Sequence, residues 1–232
     1  MKKADLRYRA YVQILKEELV PAMGCTEPIA LAYAAAVARK TLGVLPDKVE
    51  VAASGSIIKN VKSVIVPHTG HLKGIPAAAA AGIVAGDAEK KLEVISYVKE
   101  EQVEEIKQFL EQTPITVEHL ESGITFDIEV TVHAGADSAK VRIANYHTNI
   151  VRIEKNGEIL ENIPVSGEEE NNLTDRSLLD MEHIWEFINT VDVEDVKPIL
   201  EPQLRMNMAI AEEGMTNDYG ANIEIGRASC RE

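Results

Sequence analysis

Leu6, Val12, Leu15 and Leu19 recur at helical spacing across residues 3–20, with Lys16, Glu17 and Glu18 between them. That pattern predicts an amphipathic helix ended by Pro21. Pro-Ala-Met-Gly-Cys-Thr-Glu-Pro at 21–28 reads as a loop, because each proline disfavours helix at the residue before it. Pro28 then suits the first turn of a second helix through about residue 41. Its run IALAYAAAVARK is almost all small and apolar, which predicts burial. Residues 45–54 alternate as a strand, Ser54-Gly55 interrupts them, and 61–66 reads as a second short β segment ending at Pro67. The alanines at 77–81 start a third close-packed helix ending near Gly86, and charged helices are expected at 88–99 and 101–112.

The period then changes. Ile124, Phe126, Ile128, Val130 and Val132 alternate with polar residues, the signature of a half-buried strand. Further strands are expected at 140–144, 149–154 and 158–160, with Asn156-Gly157 as a hairpin turn. Helices return at 175–190 and 193–213, the second bent or broken by Pro198 and Pro202. The class expected is α+β, with alanine-rich helices packed on a mixed or antiparallel sheet. The segments are 1–114 with the cysteine loop, a strand-rich subdomain at 115–165, a helical segment at 166–223 and a tail at 224–232.

Composition narrows the function classes. The 232 residues carry a formal net charge of −14, which would repel phosphate backbones and argues against a nucleic-acid partner. The acid is scattered apart from Glu168, Glu169 and Glu170, read as a solvated loop. No stretch reaches the roughly 18 apolar residues of a membrane span, and no apolar run follows the basic N-terminus as in a signal peptide. Two cysteines, Cys25 and Cys230, without such a signal read as reduced and cytoplasmic. An alanine-rich core invites association into a homo-oligomer.

Cys25 carries the most chemistry. Gly24 gives backbone freedom, Thr26 a hydroxyl and Glu27 a carboxylate, and a helix start follows whose partial positive charge favours a thiolate. On these residues alone, a buried structural thiol, a nucleophile and a metal or cluster ligand all remain open. Lys59, beside Asn60 in a loop flanked by glycine and serine, is a candidate base or carboxylate clamp, and otherwise a solvated lysine. His147 lies between a strand and Thr148-Asn149, and is a candidate base or a histidine satisfied by backbone. Thr69-Gly70 offers backbone donors to a carboxylate, though a plain turn has the same residues. His68 and His71 with Glu27 make a weak metal signal, and His119, His133 and His183 are read as facing solvent.

These motifs, in order, resemble a known family. Residues 21–28 look like the signature of the L-cysteine desulfidases, relatives of the iron–sulfur L-serine dehydratases. The likeness continues through Ser54, Lys59-Asn60, residues 66–70 and 74–76, then at 147–151 and Glu213-Gly214. Tyr146 stands where the family pattern has glycine. The resemblance implies a lyase that removes the β-substituent of L-cysteine or L-serine, giving pyruvate and ammonia. It implies a [4Fe-4S] cluster with Cys25 as one of three thiolate ligands, the other two lying beyond this sequence. It also implies Lys59 and His147 as catalytic groups, with Thr26, Glu27, Ser54, Asn60, Thr69, Gly70, Thr148 and Asn149 around an amino-acid substrate. A non-catalytic amino-acid-binding or regulatory domain, or an inactive fragment, are the alternatives. The closing EIGRASCRE matches a translated sequencing adapter, so the tail and Cys230 are expected to be non-native, on a reading frame cut at Ile223.

Overall fold

The computed structural model describes residues 1–21, 24–165 and 174–217. The acidic loop at Glu168–Glu170 and the tail with Cys230 lie outside the described residues. The chain divides into two compact units, one of residues 22–169 and one of 1–21 with 170–232. The class is α+β, as the alternating and helical periods imply.

The larger unit is built on two alanine-rich helices, α2 (Thr26–Leu42) and α4 (Gly74–Ala85). Alanine loses no side-chain entropy in a helix and leaves the backbone thin enough for close approach. Glycine takes that approach further. A Cβ built on Gly82 would lie 2.0 Å from the Ala32 carbonyl oxygen, and one on Gly86 would lie 2.9 Å from the Ala36 Cβ. Residues Ile29 to Ala36 and Ala77 to Ala81 are accordingly buried. Gly43, in the left-handed region at φ 93°, ends α2 as a C-cap.

A six-stranded mixed sheet backs these helices, in the order β2–β1–β3–β4–β5–β6. The strands are β1 (Lys48–Ala53), β2 (Ile115–His119), β3 (Asp127–Ala134), β4 (Asp137–Ala144), β5 (Ile150–Lys155) and β6 (Glu158–Asn162). β1 runs parallel to β2 and antiparallel to β3. Val49, Val51, Ile128, Val130, Val132, Val141 and Ile143 supply the buried face. The opposite face carries cross-strand ion pairs: Arg142 grips the buried Asp127 carboxylate in two bonds of 2.9 and 2.7 Å, and Lys140 meets Glu129 at 2.7 Å. Asn156 and Gly157, at φ 52° and 81°, make the expected hairpin turn.

Four expectations are corrected. Residues 55–61, read as loop and strand, form α3 (Gly55–Val61), so Lys59 sits on a helix. Ile57 and Val61 are buried one turn apart, and that helical spacing outweighs the β-branched character of Ile57, Ile58 and Val61. The expected strand at 61–66 reduces to one bridge between Ile65 and Lys73. The helix expected at 88–99 is a 3₁₀ turn at Ala88–Glu93, in which Lys91 has a left-handed φ of 48°. It is followed by α5 (Glu100–Gln112), as read.

The smaller unit holds α1 (Leu6–Glu18), α6 (Met181–Thr190) and α7 (Val193–Thr216). Here the fourth correction falls: Asp175 caps a short 3₁₀ turn, Arg176–Leu178, and α6 starts afresh from the Asp180 cap. Of the bend or break expected at Pro198 and Pro202, no break occurs, since α7 runs through both. Tyr8, Tyr11, Ile14, Phe187 and Val196 form this unit's core, with Phe187 edge-on to both tyrosine rings. Among the described residues no helix is long and apolar enough to cross a membrane.

The Gly82 contact is testable. Gly82→Ala has no room for its methyl group without parting α2 from α4, and should cost about 3 kcal/mol, read as a lowered urea midpoint at unchanged slope. Gly123→Ala, where a Cβ meets nothing within 4 Å but φ is +76°, should cost only about 1 kcal/mol.

Candidate functional site

Cys25 is the N-cap of α2, with extended backbone and no side-chain capping bond. Its thiol is free, exposed, and donates instead to Glu27 Oε2 at 3.1 Å. The other carboxylate oxygen, Oε1, accepts from Asn60 Nδ2 at 3.2 Å. Asn60 projects from α3, whose N-cap, Ser54, is buried and donates its hydroxyl to the Thr125 carbonyl at 2.6 Å. Next along the chain, Phe126 packs its ring against His147 with centroids 4.4 Å apart. The Glu27 charge reaches His147, and each group shifts the other's titration. Cys25, Glu27 and Asn60 thus meet through hydrogen bonds from the start of α2 and the end of α3, and His147, in the turn after β4, lies within reach of the Glu27 charge.

The local backbone explains how His147 is held. Asn145 takes the left-handed φ of 67° that opens the turn, so the strain lies there rather than at Tyr146. Asn149 closes it by donating its amide to the Ala144 carbonyl at 2.9 Å. Asn149 is therefore a scaffold group, as are Ser54 and Thr69, whose buried hydroxyl donates to Val66 O at 2.8 Å. Thr26 opens α2 half-buried, and Thr148 is half-buried in the turn. Lys59 is exposed on α3 beside Asn60. Gly70 lies in an exposed loop with His68 and His71, all three at positive φ. His133 is half-buried and bonds Glu50 Oε2 at 3.0 Å, rather than simply facing solvent as expected, and His183 meets the carboxylate of its own cap, Asp180, at 2.6 Å.

The electrostatics assign states to Cys25, Glu27 and His147. Burial pushes the Cys25 thiol above its ordinary range, and the bond to the Glu27 carboxylate pushes it the same way, so it is a protonated donor at neutral pH. This reverses the expectation of a favoured thiolate, because burial and then the Glu27 carboxylate at 3.1 Å both favour the protonated thiol. Burial raises Glu27, but donation from Cys25, a backbone N–H and Asn60 outweighs it, and the carboxyl stays ionised below its usual range. Burial lowers His147 against the opposing pull of Glu27, leaving a neutral imidazole able to accept a proton. No local sequence pattern paired Glu27 with Asn60 or His147; the motif resemblance set them around one substrate, and the fold supplies the contact between Glu27 and Asn60.

The comparisons with known proteins bear on the family expected from the motifs. No family model matches the chain, and no solved structure does. The UPF0597 protein of Desulfitobacterium hafniense is 52% identical over 223 residues, covering 96% of this chain and 52% of the relative. Those of Lachnoclostridium phytofermentans and Treponema denticola are 45% and 43% identical, over 93% and 95% of this chain. The chain spans about half the length of these curated relatives. Their name states no reaction, substrate or cofactor. The resemblance to the L-cysteine desulfidases is therefore corrected: proteins similar over nearly the whole chain carry the UPF0597 name, and none of the relatives named here is called an iron–sulfur serine dehydratase or a metal-binding protein. Among the described residues Cys25 is one thiol where three are needed, and no group of three His, Cys, Asp or Glu is placed to hold a metal. These residues do not fit the cluster by themselves, and no step is derived through one.

The thiol–carboxylate bond gives a direct test. Glu27→Gln removes the charge that disfavours the thiolate, so alkylation of Cys25 at pH 7 should speed up by roughly three- to tenfold. Mass spectrometry of the Cys25 peptide reads it, and an unchanged rate would break the assigned contact.

Proposed function

We propose that this chain supplies the acid–base site of an enzyme acting on a small amino acid, with His147 as the base that takes the α-proton. One observation carries the reading: Glu27 holds a thiol and an amide by hydrogen bonds at the start of a buried helix, and its charge reaches a half-buried neutral imidazole. Each part of an amino acid has a counterpart there. The ionised Glu27 suits the ammonium group. The N-terminus of α2, which Cys25 leaves without a side-chain cap, suits the carboxylate. His147, held neutral by burial, suits removal of the proton between them. Asn60 fixes Glu27, and Cys25 is a protonated group that can return a proton or touch the substrate's β-substituent.

The finer form of this reading is elimination from L-cysteine or L-serine, in which loss of the α-proton and of sulfide or water leaves an enamine that hydrolyses to pyruvate and ammonia. Exposed Lys59 is a candidate for binding the incoming carboxylate. A free thiol within the site suits a reducing, cytoplasmic setting.

Exchange of the substrate α-proton for solvent deuterium, followed by NMR, separates proton abstraction from completed elimination. With the full-length Desulfitobacterium relative, L-serine and L-cysteine should exchange or release pyruvate, and D-serine should do neither. Replacing the residue matching His147 by glutamine should reduce the rate by about 10²- to 10⁴-fold. The acid limb of the rate profile should lie below about pH 6.5, because burial holds the imidazole under its ordinary value. Binding of either amino acid without exchange or turnover would refute catalysis and leave a binding site alone.

A further inference from the structure

The smaller unit buries one face of its helices and leaves another bare. Phe187 on α6 and Val196 on α7 pack on α1, and Tyr8 ties the corner by donating to Asp195 Oδ2 at 2.7 Å while accepting from the Asp192 N–H at 3.0 Å. The remaining apolar side chains have no such cover. On α6, Met181, Trp185 and Ile188 form a stripe at helical spacing and are 81%, 68% and 56% exposed. On α7, Leu204 and Met208 lie one turn apart on one face and are 63% and 55% exposed. Between α1, α6 and the start of α7 lies a cleft of about 460 Å³ whose walls include Leu15, Ile184, Ile188 and Leu200. Two consecutive helices that each carry large exposed apolar residues at helical spacing exceed the scattered singles normal on a surface, and apolar faces of that kind mark an interface.

We infer that this face of α6 and α7 is the docking surface for the polypeptide that makes up the other half of the longer relatives. The relatives match about 95% of this chain over only about half of their own length, so in them the segment matching α6 and α7 belongs to a polypeptide with a second body of chain of about equal length. Such a body, covalently joined, needs no high affinity to stay docked, because linkage makes its effective concentration high. Met181 and Met208 suit a surface that must conform to a large partner, since methionine side chains adapt their shape.

Two measurements decide it. In the Desulfitobacterium relative, amide hydrogen exchange over the segment matching α6 and α7 is compared between the whole protein and the same protein cut to the matched region. The whole protein should exchange there at least about tenfold more slowly. Trp185, the one tryptophan of this chain, gives the second reading. Adding the relative's other half as a separate polypeptide should shift Trp185 emission to the blue and reduce its quenching by iodide, and Ile188→Glu should abolish both changes. Equal exchange in the whole and cut proteins overturns the inference, whatever the separate polypeptide does. So does sedimentation of this chain as a dimer with Trp185 already shielded, which would make a second copy the occupant.

Discussion

The approach of α4 to α2 is the constraint on which the rest of the larger unit depends. Gly82 lets one backbone lie against the Ala32 peptide of the other, and the alanines above and below maintain that distance along both helices. Side chains larger than these would push α2 away from β3 and β4, where it also packs. Because α2 is held on one side by α4 and on the other by the sheet, its first turn is fixed in space. Cys25 and Glu27 belong to that turn. A thin, tightly packed pair of helices thus converts into a carboxylate at a defined position.

Glu27 then acts as the centre of the polar cluster. Its two oxygens accept from groups on different elements, Cys25 Sγ and Asn60 Nδ2, and its charge acts on a third, His147. The arrangement sets protonation states in opposite directions: thiol protonated, carboxyl ionised, imidazole neutral. Groups whose surroundings push their titrations apart are what acid–base chemistry requires, and such groups cluster at functional sites. The site is supported by residues that do no chemistry, with Ser54 anchoring α3 and Asn149 closing the turn that carries His147.

Much of the fold was legible in the chain's periods. The alternation from Ile128 to Val132, the Asn156-Gly157 turn and the alanine runs each named their element, because burial of one sheet face or of a whole helix leaves a regular mark on sequence. What failed had a physical reason too. Ile57, Ile58 and Val61 favour strand by their branching, and only the packing of Ile57 and Val61 on the core makes α3 a helix. Pro198 and Pro202 did not interrupt α7. The site was legible as candidates that the motif resemblance set around one substrate, whereas the Glu27–Asn60 bond joins residues 33 apart and no local pattern reveals it. The charge state of Cys25 was misread for the same cause, since the nearby helix terminus is visible in sequence and the geometry of the Glu27 carboxylate is not. The family suggested by the motifs gave way to the names carried by relatives similar along nearly the whole chain.

The claim that Glu27 organises the site is tested most directly by titrating His147, assigned by NMR, in the unaltered chain and in Glu27→Gln. Burial lowers this imidazole and the Glu27 charge opposes that lowering. In the unaltered chain His147 should therefore titrate below the ordinary value of about 6.5, and removing the charge should move it lower still. A histidine that titrates at the same pH in both proteins would contradict the account, because Glu27 and His147 would then belong to no common site.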